Sequence, residues 1–441
     1  MESNKQNSRP ELLLPAGNLE NLRTAIQYGA DAVYLGGKRF GLRAKADNFT
    51  VSEMAEGVAY AHAHQAKVYL TVNIFAHNRD LEGLREYFTE LKGIPLDALL
   101  ISDPGVFMLA KEMLPEIPIH ISTQANNTNY LTWEFWKKLG AERVVAAREL
   151  SLAEIGRIAE ELNGEMEIEA FVHGAMCISY SGRCLLSAYF TGRDANQGAC
   201  THPCRWKYAL KEKADQEDHC QEGDAIESSS ELYLEEESRP GEYLPIEEDE
   251  RGTYILNSKD LCMIEHIPEM VKAGIASFKI EGRMKTALYV AVTASVYRRA
   301  IDDFFSSEEL YRQNIPEYKR EIGLCTTREF STGFYFGHPD ETGQIYSGST
   351  YRQGAVYLGT VAEVDPEGRA VIYQKNKFSV GDELQIMPFR GGAVAAKVLS
   401  IRNEDGMEVD SAPHPMERLS VALRCREGLE IMPGMLLRRI S

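Results

Sequence analysis

The sequence predicts an α/β chain: a TIM-like (β/α)8 barrel with a large insertion between strands seven and eight, followed by a small antiparallel β-barrel. Three observations carry this reading. Eight short, β-rich apolar runs recur over the first three hundred residues. Segments with helical spacing of apolar residues separate them, and strand–helix alternation implies parallel pairing. Beyond about residue 350 the pattern changes to short strands between Gly, Asp and Pro turns, as in a small antiparallel barrel.

The polar opening MESNKQNSRP, residues 1–10, reads as a disordered lead-in without the apolar stretch of a secretion signal. The barrel spans 11–305. Its runs are ELLLPAG (Glu11–Gly17), DAVYLGG (Asp31–Gly37), KVYLTVNIF (Lys67–Phe75), DALLISD (Asp97–Asp103), IHISTQ (Ile119–Gln124), RVVAARE (Arg143–Glu149), EIEAFVHG (Glu167–Gly174) and SFKIEGR (Ser277–Arg283). Intervening stretches such as NLENLRTAIQYG and LSLAEIGRIAEEL have the 3.6-residue period of amphipathic helices. A doubly wound open sheet is the competing architecture. No G-x-G-x-x-G follows the first strand, so a dinucleotide fold gains no support. Residues 306–350 form a connector in which YRQNIPEYKREI is helical by pattern. The tail, 351–441, carries six strand-like runs: GAVYLGTVAEV, RAVIYQ, FSVGDELQIM, GGAVAAKVLSI, LSVALRC and PGMLLRRI.

In such barrels chemistry sits at the C-terminal ends of the strands. Reading those ends gives Asn73, Asp103, Gln124, Glu149, His173, Glu281 and Arg283. Polar residues also end strands as turn formers, so the weight lies in their convergence rather than in any one. His173 and Glu149 are the candidates for proton transfer. Arg283 and Lys285 after the eighth strand, and Arg43 in the loop after the second, are candidates for holding phosphate or carboxylate.

The strand spacing breaks once, between strands seven and eight, by about a hundred residues. Four of the chain's eight cysteines stand there as Cys177-x6-Cys184-x15-Cys200-x3-Cys204, with Cys262 further on. Thiolates suit zinc or an iron–sulfur cluster. Structural zinc favours paired C-x2–4-C knuckles, and only Cys200/Cys204 has that spacing. Iron–sulfur, zinc and plain buried thiols therefore all stay open on spacing alone. Disulfides are not expected in a large chain without an export signal, which places it in the cytoplasm. The net charge of −18 argues against binding a polyanion, but residues 211–250 hold 16 Asp or Glu against 3 Lys or Arg. The remainder carries about −5, which leaves room for a basic groove. The acidic run reads as a solvated, mobile insertion, with Cys220 inside it a free thiol. No run of eighteen apolar residues exists, so no membrane span is expected.

The stretch EAFVHGAMCISYSGRCLLS (Glu169–Ser187) resembles the signature of the collagenase-like peptidase family U32. GACTHPCRW (Gly198–Trp206), LNSKDLCMIEHIPEMVKAGI (Leu256–Ile275), FKIEGRMK (Phe278–Lys285) and the opening ELLLPAGNLENLRTAIQYGADAVYLG are similar to it too. The resemblance implies one of several activities. The family is named for a peptidase activity, and relatives hydroxylate wobble uridine of tRNA, a ribosomal RNA cytidine or a ubiquinone precursor. The single barrel with a β-barrel tail resembles the tRNA branch. That branch implies oxygen-independent conversion of wobble uridine to 5-hydroxyuridine, a [4Fe-4S] cluster and prephenate as hydroxyl donor. Its implied partners are the tRNA anticodon loop and a sister protein of the family. The implied cluster ligands are Cys177, Cys184, Cys200 and Cys262, with Cys204 as the alternative fourth. A peptidase using a cysteine thiol with His173, and a non-catalytic RNA-binding scaffold, are the competing readings.

Overall fold

The structure, a computed structural model, describes residues 8–42, 47–177, 184–193, 195–206, 208–212, 232–236, 243–245, 248–249, 252–253, 258–325, 328–337, 354–425 and 428–441. Eight parallel strands close into a barrel: β1 (Glu11–Pro15), β2 (Ala32–Gly36), β3 (Lys67–Val72), β4 (Ala98–Ile101), β5 (Ile119–Ile121), β6 (Arg143–Val145), β7 (Glu167–Gly174) and β8 (Ser277–Ile280). Neighbours in sequence pair in order, and β8 joins β7 to β1. Each strand falls inside one of the eight apolar runs. In register, Ser277 lies beside both Glu11 and Glu169, so these three share one level of the barrel.

Helices follow the strands because local chemistry starts them there. Asn18 caps α1 (Leu19–Gln27) by accepting from the Asn21 amide. Thr50 with Glu53, and Ser151 with Glu154, form capping boxes at α2 (Val51–Ala63) and α6 (Leu152–Leu162). Asp103 caps α4 (Pro104–Met113), accepting from Val106 N at 3.0 Å, with Pro104 in the first turn. That gives this strand-end carboxylate a structural role. Helices α3 (Leu81–Leu91) and α5 (Tyr130–Lys138) complete the ring on this side.

The excursion after β7 carries a short helix, α7 (Leu186–Thr191). Within the stretch expected to be mobile, backbone strands Tyr208–Glu212, Leu232–Glu236 and Tyr243–Pro245 pair into an antiparallel sheet, with Leu234 opposite Leu210 and Leu244. Alternating apolar residues such as Leu232 and Leu234 give this acidic segment a strand period that net charge alone conceals. Cys220 lies outside the described residues. The short strand Asp260–Cys262 then returns antiparallel to the upper end of β7, setting Cys262 opposite His173. Next come α8 (Ile267–Lys272) and, after β8, the long helix α9 (Ala287–Ser306). Helix α10 (Glu308–Gly323) contains the connector segment that reads as helical. Among the described residues, no helix is long and apolar enough to cross a membrane.

At the N-terminal end the described chain begins at residue 8. Pro10 is already buried, and Arg9 pairs with Asp302 at 2.5 Å.

The tail is a closed six-stranded antiparallel barrel of β9 (Ala355–Val364), β10 (Ala370–Gln374), β11 (Glu383–Met387), β12 (Val394–Arg402), β13 (Arg418–Cys425) and β14 (Leu436–Ile440). It has its own apolar core, including Leu358, Ile372, Ile386 and Val421. It docks on the first barrel through Tyr28, whose hydroxyl donates to Met387 O at 2.7 Å and accepts from Leu436 N at 3.1 Å. Fully buried Arg438 pairs with Glu321 of α10 at 2.6 Å and donates to Gln385 Oε1 at 2.9 Å.

Candidate active site

The lower barrel interior is filled by ionised side chains. Arg143 bonds Glu11 at 2.6 Å, Glu167 at 2.6 Å and Glu169 at 3.3 Å. Tyr69 and Ser277 donate to Glu11 at 2.7 and 2.9 Å. Burial pushes the Glu11 carboxyl up, but Arg143 and these donors outweigh it and hold it below its ordinary range. Above this layer Lys279 donates to Glu169 Oε1 at 2.7 Å. Glu169 is fully buried and thus sits between two cations, which is what lets a carboxylate remain inside the barrel.

A cavity opens over this column at the C-terminal ends of the strands. Tyr34, Thr71, Asn73, Ser122, Gln124, Arg148, Phe171, Lys279, Glu281 and Arg283 line it from the barrel. Cys177, Cys184, Ala195 and Cys200 line it from the excursion after β7. Arg283 is buried and donates to Thr71 Oγ1 at 3.3 Å and Asn48 Oδ1 at 3.5 Å. Gly36 makes room for it: a Cβ there would stand 1.8 Å from Arg283 Nη1. Asn73 donates to Ser122 Oγ at 3.2 Å and Gln124 Oε1 at 3.0 Å. Arg148 lies 4.0 Å over the Phe171 ring, pairs with Glu281 at 3.5 Å, donates to Ala175 O at 3.2 Å and reaches Cys177 Sγ at 3.9 Å. Gly174 turns the chain out of β7 at a φ of 111°, a backbone region open to glycine.

Asn73, Gln124, Glu281, Arg283, Cys177, Cys184 and Cys200 are therefore brought together as the strand-end and cysteine patterns imply. Other candidates lie elsewhere. His173 is buried behind β7, its ring 5.6 Å from Tyr297, 6.0 Å from Tyr289 and 5.5 Å from Phe330. The register shift between β7 and β8 turns it out of the barrel. Burial, reinforced by the Lys285 charge, lowers its pKa to about 3, so it stays neutral at ordinary pH. Glu149 is not among the cavity-lining residues; its neighbour Arg148 is. Lys285 lines a different cavity, beside Asn21, Tyr289, Tyr357 and Lys375. Arg43 lies outside the described residues. Sequence reasoning missed Arg148, Lys279 and Glu169, which sit within the apolar runs; the period-two inward face of β7 and β8 is the signal that marks the last two.

Three soft donors, Cys177, Cys184 and Cys200, line one cavity, a donor set of the kind that holds zinc or an iron–sulfur cluster. Among the described residues, no three His, Cys, Asp or Glu side chains are grouped as a single metal ion requires. Cys200 Sγ also accepts from His202 N at 3.4 Å. Neither candidate for the fourth ligand lines the cavity. Cys262 Sγ lies 3.9 Å from the Tyr297 hydroxyl, with its pKa pushed up to about 11 by burial, and Cys204 lies in the turn Pro203–Arg205.

The chain is 39% identical over 410 residues to tRNA hydroxylation protein P1 of Bacillus subtilis (strain 168), covering 93% of this chain and 90% of that one. It is 39% identical over 449 residues to tRNA hydroxylation protein P of Escherichia coli (strain K12), covering 98% and 97%. It is 35% identical over 294 residues to the 23S rRNA 5-hydroxycytidine C2501 synthase of Escherichia coli (strain K12), covering 67% of this chain and 39% of that protein. The model of peptidase family U32 matches residues 17–345, and that of the peptidase family U32 C-terminal domain matches 353–438. Barrel, cysteine-lined mouth and tail thus fall within one family pattern, and the chain belongs to peptidase family U32.

Proposed function

We propose that this protein hydroxylates tRNA, converting the wobble uridine to 5-hydroxyuridine without molecular oxygen and taking the hydroxyl group from prephenate. The observation that carries the reading is the cavity, where three thiols meet Arg148, Lys279 and Arg283, in a chain similar over more than nine-tenths of its length to two tRNA hydroxylation proteins. Cys177, Cys184 and Cys200, with Cys262 as the fourth and Cys204 as its alternative, would hold a [4Fe-4S] cluster, which supplies redox or Lewis-acid chemistry when bound. Arg283, held by Thr71 and Asn48, and Arg148, held against Phe171 and Glu281, would take the two carboxylates of the donor. The anticodon loop is single-stranded, so turning its base into the cavity costs little stacking. Cys177, Cys184, Ala195 and Cys200 of the excursion line the same cavity, where they would stand beside the bound base.

The test is nucleoside mass spectrometry of tRNA from a deletion strain, complemented with the wild type or with Cys177→Ser. Loss of 5-hydroxyuridine and its derivatives, restored by the wild type alone, is the expected result. Unchanged tRNA in the deletion strain overturns the reading. Anaerobically purified wild type is expected to carry iron and sulfide, and Cys184→Ser and Cys200→Ser to lose both.

A further inference from the structure

Lys279 is an amine that the hydroxylation reading uses only as a charge. It is 4% exposed, projects from β8 into the mouth cavity and holds Glu169 at 2.7 Å. Its Nζ stands 4.4 Å from the Tyr34 ring centroid and 5.6 Å from that of Phe171. Burial lowers its proton affinity and Glu169 raises it, while Arg143, 3.3 Å from the other side of Glu169, offsets part of that carboxylate's charge. The net effect leaves Lys279 below the ordinary lysine range. A readily freed amine and two guanidiniums line one cavity, and a fully buried carboxylate lies within hydrogen-bond reach of the amine. That set matches the needs of imine formation with a carbonyl compound that also bears a carboxylate.

We propose that Lys279 forms a covalent imine with a 2-oxo acid bound at the barrel mouth, with Glu169 carrying the protons. Glu169 takes one proton from the ammonium, and the freed lone pair forms the N–C bond while the carbonyl π pair moves to oxygen. Glu169 returns its proton to that oxygen, and a second proton passes from nitrogen to oxygen by the same carboxylate. The C–O bond then breaks and water leaves. The product is an iminium with one N–H, so ammonium plus ketone gives iminium plus water. Arg148 and Arg283 hold the carboxylate. The inference rests on the proposed function only in the choice of one probe, since prephenate carries a 2-oxo acid side chain.

Full-length protein is mixed with phenylpyruvate, or with prephenate, in the presence of sodium cyanoborohydride, and intact mass and peptide maps are recorded. The expected result is a reduced adduct on the Lys279 peptide, absent from Lys279→Arg and formed about tenfold more slowly by Glu169→Gln. Circular dichroism of both variants confirms that they are folded; should Lys279→Arg fail to fold, the peptide map of the wild type decides. Trapping accelerates as pH rises, because the neutral amine attacks. No adduct on wild-type protein, or one that maps to another lysine, overturns the proposal. The adduct is read without tRNA, so the two readings fail separately. Protein whose deletion abolishes 5-hydroxyuridine but which gives no adduct sinks only the imine. Protein that gives the adduct but whose deletion leaves tRNA unchanged sinks only the hydroxylation.

Discussion

Arg148 and Glu149 are adjacent, yet the arginine reaches the cavity and the carboxylate does not. Arg148→Met is expected to lower cellular 5-hydroxyuridine at least about tenfold, and Arg148→Lys to restore only part of it, because a lysine lacks the planar fork that stacks on Phe171 while bonding Glu281. Quantifying the nucleoside in complemented strains checks both. At the other end of the barrel, His120 is buried beside Arg143 with no hydrogen-bond partner at Nδ1. Burial, helped by the Arg143 and Lys279 charges, holds its pKa well below the usual 6.5. The unfolded chain therefore binds a proton there that the folded chain does not. Stability from this group is complete above pH 6.5 and is lost as pH falls below it, by about 1 kcal/mol between pH 6.5 and 5.5. His120→Phe is expected to flatten that slope in denaturant titrations at the two pH values. Polar strand ends were legible because an apolar run stops there. Arg148 was not, since nothing in RVVAARE says which of two adjacent ionised groups faces inward.

Elements were far more legible than side chains. All eight barrel strands lie within the runs read from the sequence, and the six tail strands keep to theirs to within one residue, because period and punctuation are local properties. The register shift that turns His173 away is set by pairing with β8, more than a hundred residues later, and so leaves no local mark. The same holds for the strand Asp260–Cys262, which pairs with the upper end of β7 on one side and with Phe330–Ser331 on the other. Gly36 at the end of β2 shows how an element serves the site. Gly36→Ala drives a methyl into the Arg283 guanidinium, so it is expected to lose donor binding while β2 itself stays paired. Calorimetric titration with prephenate, alongside the thermal unfolding temperature, separates the two effects.

Over the whole molecule, the two closed barrels meet across a seam that joins the Tyr28 hydroxyl and the Arg438–Glu321 pair to apolar contacts such as Tyr28–Phe389. Arg438→Met leaves Glu321 without its buried partner and is expected to cost about 3–5 kcal/mol. Calorimetric unfolding is expected to separate into two transitions in that variant and to remain a single one in the wild type. The seam was invisible in sequence because Tyr28 and Leu436 stand at opposite ends of the chain. The placement of β8 has a further consequence during synthesis. While the ribosome translates the excursion of about a hundred residues, the seven strands already emerged have no neighbour for β1 or for the lower half of β7. At roughly 5–20 residues per second that interval lasts about 5–20 s, long enough for chaperones to find the bare rims. Shortening the excursion in a redesigned gene is expected to reduce co-purifying chaperone and raise the yield of undamaged nascent protein.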